Sequence, residues 1–172
     1  MPPGRLVDLL HRRAVAWACL ALLCTGLGAA ALRPIWDGDL GWHLAMGRDV
    51  ALHARVPDTE PFTHTARGNP MVANEWLTQL VYHAVTDVAG IRGLRVLHAL
   101  VTALAPALFF WMLRSAGISA ALCVAGVLVW AVIAESRFAL RPQMLSLLLS
   151  MASFQLLFVR RPTLTDRQLV AN

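Results

Sequence analysis

Polar and apolar positions along this chain fall into long blocks and not into the short cycles of a soluble fold. Four apolar runs stand out: Ala14 to Leu32, Val96 to Leu113, Ile118 to Ala134 and Met144 to Val159. Each is about long enough to cross a hydrocarbon core of roughly 30 Å as a helix rising about 1.5 Å per residue, the last two only just. Short spans rely on snorkelling flanks or a thinned bilayer. The pattern predicts an all-α membrane protein with four transmembrane helices, over 14–32, 94–113, 117–134 and 143–159. Gly26, Gly28, Pro106 and Gly126 are compatible with spans, where neighbouring helices re-satisfy the backbone. Gly126 and the small residues from Ala116 to Ala121 mark close helix contacts. A secretory signal is the rival reading for the first run, since Ala29-Ala30-Ala31 resembles a cleavage site. The run exceeds the usual signal core of about 7 to 15 residues, which favours an uncleaved anchor. Under either reading, the residues after Leu32 are exported.

Between the first two runs the periodicity changes. Leu77, Leu80, Val81, Ala84, Val85 and Val88 recur at helical spacing, with Asn74 as N-cap and Gly90 as stop. This predicts an amphipathic helix over about 74–89, lying along the membrane surface. A weaker helix is predicted over about 39–52, with Leu40, Leu44, Gly47 and Ala51 on one side and Trp42, Met46 and Val50 beside them. Between them, Val56-Pro57 to Asn69-Pro70 is rich in turn formers and reads as an ordered irregular segment.

Composition supports the membrane reading. The chain is 58% hydrophobic and 15% charged, against about 25% charged in ordinary soluble domains. All fifteen basic residues are arginine, and the net charge of +5 is spread over loops, which argues against a nucleic-acid partner. Arg5, Arg12, Arg13, Arg114, Arg160 and Arg161 fall on one side of the four-span arrangement, which places the N-terminal segment 1–13 and the tail 160–172 in the cytoplasm. Arg33, Arg92, Arg95, Arg137 and Arg141 oppose that vote. Arg95 is expected to snorkel. Cys19, Cys24 and Cys123 all lie in apolar runs and read as small buried hydrophobes.

Candidate chemistry concentrates in the exported loop, 33–93. The stretch Arg33 to Arg95 holds seven of the ten acidic residues and four of the six histidines, more than a connector needs. Asp37-Gly38-Asp39 opens it. If Asp39 begins a helix, His43 lies one turn on, so Asp37, Asp39 and His43 could converge. Such carboxylates can hold a divalent metal or serve as a general base; a helix cap with a solvated turn explains the same tripeptide. The second exported loop, 135–142, crowds Glu135, Arg137 and Arg141 together. Its arginines can bind phosphate through guanidinium forks or simply anchor the interface, and Glu135 could supply a second acid.

The order of parts, with the stretch from Asp37 to Arg48, then Arg55-Val56-Pro57, Asn74-Glu75-Trp76-Leu77 and Arg141-Pro142-Gln143, resembles the N-terminal module of the glycosyltransferase C superfamily. That superfamily includes the protein O-mannosyltransferases and the lipid A aminoarabinose transferases. The resemblance runs over roughly Leu32 to Leu149 and points to a bacterial branch. It implies a multi-span enzyme of the cytoplasmic (inner) membrane that transfers a sugar from a polyprenyl-phosphate carrier to an acceptor on the exported face. Asp37 or Asp39 would then be the base, and the other a metal or carrier-phosphate contact. Glu135 would be the second-loop acid, and Arg137 and Arg141 the phosphate ligands. His43, Glu75 and Trp76 would orient metal, acceptor or sugar. Members of the superfamily have many more spans, so this chain is expected to act with a C-terminal continuation or partner chain. The competing expectation is a non-catalytic membrane protein that serves as an assembly or partner-binding subunit.

Overall fold

A computed structural model of the chain describes residues 3–33, 37–134 and 139–159, with side chains over 14–33, 37–134 and 139–157. The described residues are helical, with no strand beyond a single antiparallel bridge between Thr59 and Pro70. Five α-helices follow in order: α1 Pro3–Ala31, α2 Leu40–His53, α3 Trp76–Ser115, α4 Ala120–Ile133 and α5 Gln143–Phe154, the last continued by a π-helical turn, Gln155–Val159. Two of them are long and apolar enough to cross a membrane: α1 over Ala14–Ala31, and α3. Ala120–Ile133 and Gln143–Leu157 are apolar but shorter. The first and last segments of the sequence reading, 1–13 and 160–172, lie largely or wholly outside the described side chains.

The chain forms two compact units. One comprises Met1–Gly26, Ala103–Glu135 and Ser146–Asn172. Its core gathers Leu20, Phe110, Cys123 and Val127, with Leu23, Leu113 and Ile118 packed around them. Trp17 lies against Phe110 with ring centroids 5.1 Å apart. The turn that ends α3 is built from its own sequence. Gly117 takes the left-handed conformation (φ 82°), while Ile118 N–H bonds to Leu113 O (3.2 Å) and Gly117 N–H to Arg114 O (3.0 Å). This is a Schellman stop, and Leu113 and Ile118 both pack against the core. Ser119 then opens α4, its side chain accepting from Leu122 N–H. Gly126 faces Leu113, where an added Cβ would lie 3.2 Å from Leu113 Cδ1, a close helix contact.

The other unit comprises Leu27–Thr102 and Ser136–Leu145. Its core is Tyr82, Leu94 and Leu140, with Leu40, Leu44, Val85, Leu97 and Leu145 around them. Two glycines shape it. Gly47 is where α2 crosses α3: a Cβ there would overlap the Gln79 carbonyl oxygen, come within 2.6 Å of the carbonyl carbon and within 2.9 Å of His83 Cβ. Gly90 interrupts α3 with φ 63° and ψ −168°, a conformation essentially reserved for glycine. The sequence reading stops a helix here, and the helix instead breaks and resumes.

Several expectations change in detail. The buried face of α2 is His43, Met46, Gly47 and Val50, and Ala51 is exposed. α3 begins at Trp76, two residues after the expected cap, with Glu75 O accepting from Gln79 N–H at 3.0 Å. Thr78, Gln79 and Tyr82 are the buried side chains of its first turns, whereas Leu77 and Val88 of the apolar stripe are exposed, Val88 at 87%. Arg95 Nη2 donates to Leu32 O at 2.7 Å, just beyond the last turn of α1, where a cation complements unpaired carbonyls and the negative end of the helix dipole.

Candidate functional site

Within the unit formed by 27–102 and 136–145, the chain brings together residues far apart in sequence. Asp37 precedes α2, and Arg141 lies in the turn that leads into α5. Arg141 Nε donates to Asp37 Oδ2 at 3.3 Å. The other Asp37 oxygen, Oδ1, accepts from Asp39 N–H at 3.0 Å, a local turn of the kind short acidic side chains make. The Asp37 side chain is 4% exposed and that of Arg141 54%. The carboxylate is thus covered while the guanidinium meets solvent.

The turn carrying Arg141 is fastened to α3. Tyr82 Oη donates to Arg141 O at 3.0 Å, Pro142 is fully buried, and Gln143 Nε2 donates to Glu75 Oε1 at 2.9 Å. Burial, with the negative charges of Asp37 and Glu75, pushes the Tyr82 phenol well above its ordinary range. It therefore remains a protonated donor across all working pH.

A second polar group lies along α2 and α3. His43 Nδ1 is 3.2 Å from Gln79 Nε2 and 3.9 Å from Glu75 Oε2. With a neutral imidazole protonated at Nε2, the Gln79 amide donates to Nδ1. Gln79 is 1% exposed, and its Oε1 has no partner among the described residues.

The sequence-derived candidates separate accordingly. Asp37 and Arg141 form one pair, while Glu75 and His43 approach each other beside it. Asp39 occupies the N-cap position of α2, but its side chain makes no capping bond and is exposed. His43 turns toward Gln79 and Glu75. Trp76, the first residue of α3, is 37% exposed and takes no part in these contacts. Glu135 and Arg137 lie outside the described residues. Among the described residues no three His, Cys, Asp or Glu side chains gather as a metal-binding group.

The sequence reading passes over Tyr82 and Gln79 and includes Gln143 only within the segment Arg141-Pro142-Gln143. Tyr82 is the one tyrosine in the chain, and a phenol inside an otherwise apolar helical pattern needs a partner, which was the available signal. Neither glutamine had one. A groove of about 680 Å³ between α2 and α3, lined by Leu44, Leu52, Arg48, His83 and Asp87, includes none of the residues that bond Asp37 or Glu75. Compared with known proteins, the chain matches no family model, no curated protein and no solved structure.

Proposed function

We propose that this chain is an integral membrane protein with four spans and forms the exported-face acid and arginine site of a polyprenyl-phosphate-dependent glycosyltransferase. The observation that carries the reading is the Asp37–Arg141 pair, which joins residues 104 positions apart at 3.3 Å. An acid and a cation at one point suit inverting sugar transfer. The acceptor hydroxyl oxygen bonds to the anomeric carbon and gives up its proton to Asp37. The bond from that carbon to the carrier phosphate oxygen breaks, and the electron pair leaves on the phosphate, where Arg141 offsets the charge. Glu75, whose side chain is 31% exposed, offers a hydrogen-bond acceptor to a polyhydroxylated ligand.

Burial favours the membrane part of the reading. Only 17% of Ala14–Ala31 and 39% of the most apolar window of α3 are buried in the protein, whereas a soluble core helix is mostly buried. Large apolar side chains such as Leu22, Leu100, Val132 and Ile133 lie on the outside, the kind of surface that marks a membrane or partner contact.

Of the two acids, Asp37 is the better base candidate, because Asp39 is exposed and bonds the site only through its backbone. In membranes supplied with a labelled polyprenyl-phosphate sugar, Asp37→Asn should lower transfer by about 10²–10⁴-fold with normal membrane insertion, while Asp39→Asn should change it only a few-fold. Full activity in Asp37→Asn would refute the assignment. The exposed stripe of Leu77, Ala84 and Val88 supports a second reading, a partner-binding membrane subunit. Absence of transfer by the unaltered chain, together with loss of a co-purifying partner in Leu77→Ser/Val88→Ser, would favour it.

A further inference from the structure

We infer that Asp37 and the phosphate of an incoming carrier compete for the Arg141 guanidinium, so that donor binding uncovers the carboxylate. The inference rests on the site reading above and adds an order of events to it: carrier first, acceptor activation second.

Both Asp37 oxygens are engaged at rest, Oδ1 by Asp39 N–H and Oδ2 by Arg141 Nε. A carboxylate whose oxygens each accept a hydrogen bond, and whose side chain is 4% exposed, is poorly reached by an acceptor hydroxyl. Arg141 differs. Its side chain is more than half exposed, it spends only Nε on Asp37, and neither Nη bonds another described residue. Those two nitrogens form the outward edge of the fork, which matches two oxygens of a phosphate. A single 3.3 Å contact is a weak hold compared with such a bidentate pair.

The backbone here is built to let the side chain move while its root stays fixed. Tyr82 Oη holds Arg141 O, Met144 N–H bonds the same carbonyl at 3.0 Å, and Pro142 is buried. Gln143, the next side chain along, is tied to Glu75. Arg141 can therefore turn its guanidinium from Asp37 to a phosphate about a fixed Cα. Tyr82 acts here as a positioning residue.

The test is carbon-13 NMR of the full chain, labelled at the aspartate carboxyl carbons, in lipid nanodiscs, with phosphorus NMR of the ligand recorded on the same sample. The ligand is farnesyl phosphate, with farnesol and inorganic phosphate as comparisons, and the Asp37 resonance is assigned by its absence in Asp37→Asn. Farnesyl phosphate should move the Asp37 resonance to the position it has in Arg141→Gln and leave Asp39 in place, and the Arg141→Gln protein should give no further response. An equal response to inorganic phosphate would support the same competition and identify the anion, not the lipid chain, as the competitor. Movement by farnesol would overturn it. Ligand phosphorus signals that broaden while Asp37 stays still would overturn the competition and leave carrier binding standing. Absence of broadening would overturn both.

Discussion

Glu60 organises the loop between α2 and α3 from a position that no motif marks. Its Oε1 accepts from Phe62 N–H and Thr63 N–H at 3.0 Å, from Thr63 Oγ1 at 2.9 Å and from Trp42 Nε1 at 3.4 Å. Around it, Glu60 N–H bonds to Asn69 O and Gly68 N–H to Glu60 O, so the loop closes on this residue and α2 is tied to it through Trp42. The Phe62 N–H, followed by the Thr63 donors and Trp42, holds the Glu60 carboxyl below the usual range for glutamate. A depressed pKa stabilises the fold above the unfolded-state value, and that contribution is lost as the pH falls through the folded-state value. Protection factors of the Phe62 and Thr63 amides should therefore persist through the ordinary carboxylate range and collapse only below it. In Glu60→Ala they should be low at every pH. Equal protection in both proteins would remove Glu60 from this role. The segment was legible as ordered and irregular from its prolines and threonines, but Glu60 was not, since glutamate rarely makes the short local bonds that mark aspartate or asparagine turns. Asp37 was legible for the opposite reason: an acid-x-acid pair at the end of an apolar run invites attention. The sequence marks its partner Arg141 as a loop arginine and as part of Arg141-Pro142-Gln143 but does not join it to Asp37, because spacing along a chain carries no information about contacts made a hundred residues away.

Helical periodicity located the elements well and the faces poorly. A stripe of leucines and valines shows that a helix has two sides but not which of them meets protein. In α3 the protein takes Thr78, Gln79 and Tyr82, and leaves Leu77 and Val88 outside. In α2 the decisive position is Gly47, which the sequence reading placed in an apolar row and which the fold uses for lack of a side chain. Gly47→Ala should overpack the α2–α3 crossing at a cost of about 1–3 kcal/mol. Gly90→Ala should cost a similar amount, about 1–3 kcal/mol, through backbone strain alone, because nothing lies within 4 Å of its added Cβ. Gly41→Ala, with open space at the same distance and no unusual φ, is the matched control. Thermal unfolding in detergent should place both variants clearly below Gly41→Ala. Indistinguishable midpoints for Gly47→Ala and Gly41→Ala would mean that α2 does not cross α3 at this glycine.

At the scale of the whole molecule, α1 and α3 have the length and apolarity of membrane-crossing helices, and α4 and α5 are shorter. Counting apolar runs leads to four spans; helix length among the described residues supports two, and the proposal of four depends on flanking residues to complete the short ones. In the proposed four-span arrangement the Asp37–Arg141 site and the Glu60 loop face the exported side, and the turn between α3 and α4 the cytoplasm. The most direct measurement is labelling of single cysteines, at the exposed positions Thr65 and Ala116, in a background where Cys19, Cys24 and Cys123 are replaced by alanine. A membrane-impermeant maleimide applied to intact spheroplasts should label Thr65→Cys readily and Ala116→Cys only after the membrane is opened. Labelling of Ala116→Cys but not Thr65→Cys in intact cells, or recovery of the chain in the soluble fraction, would contradict it.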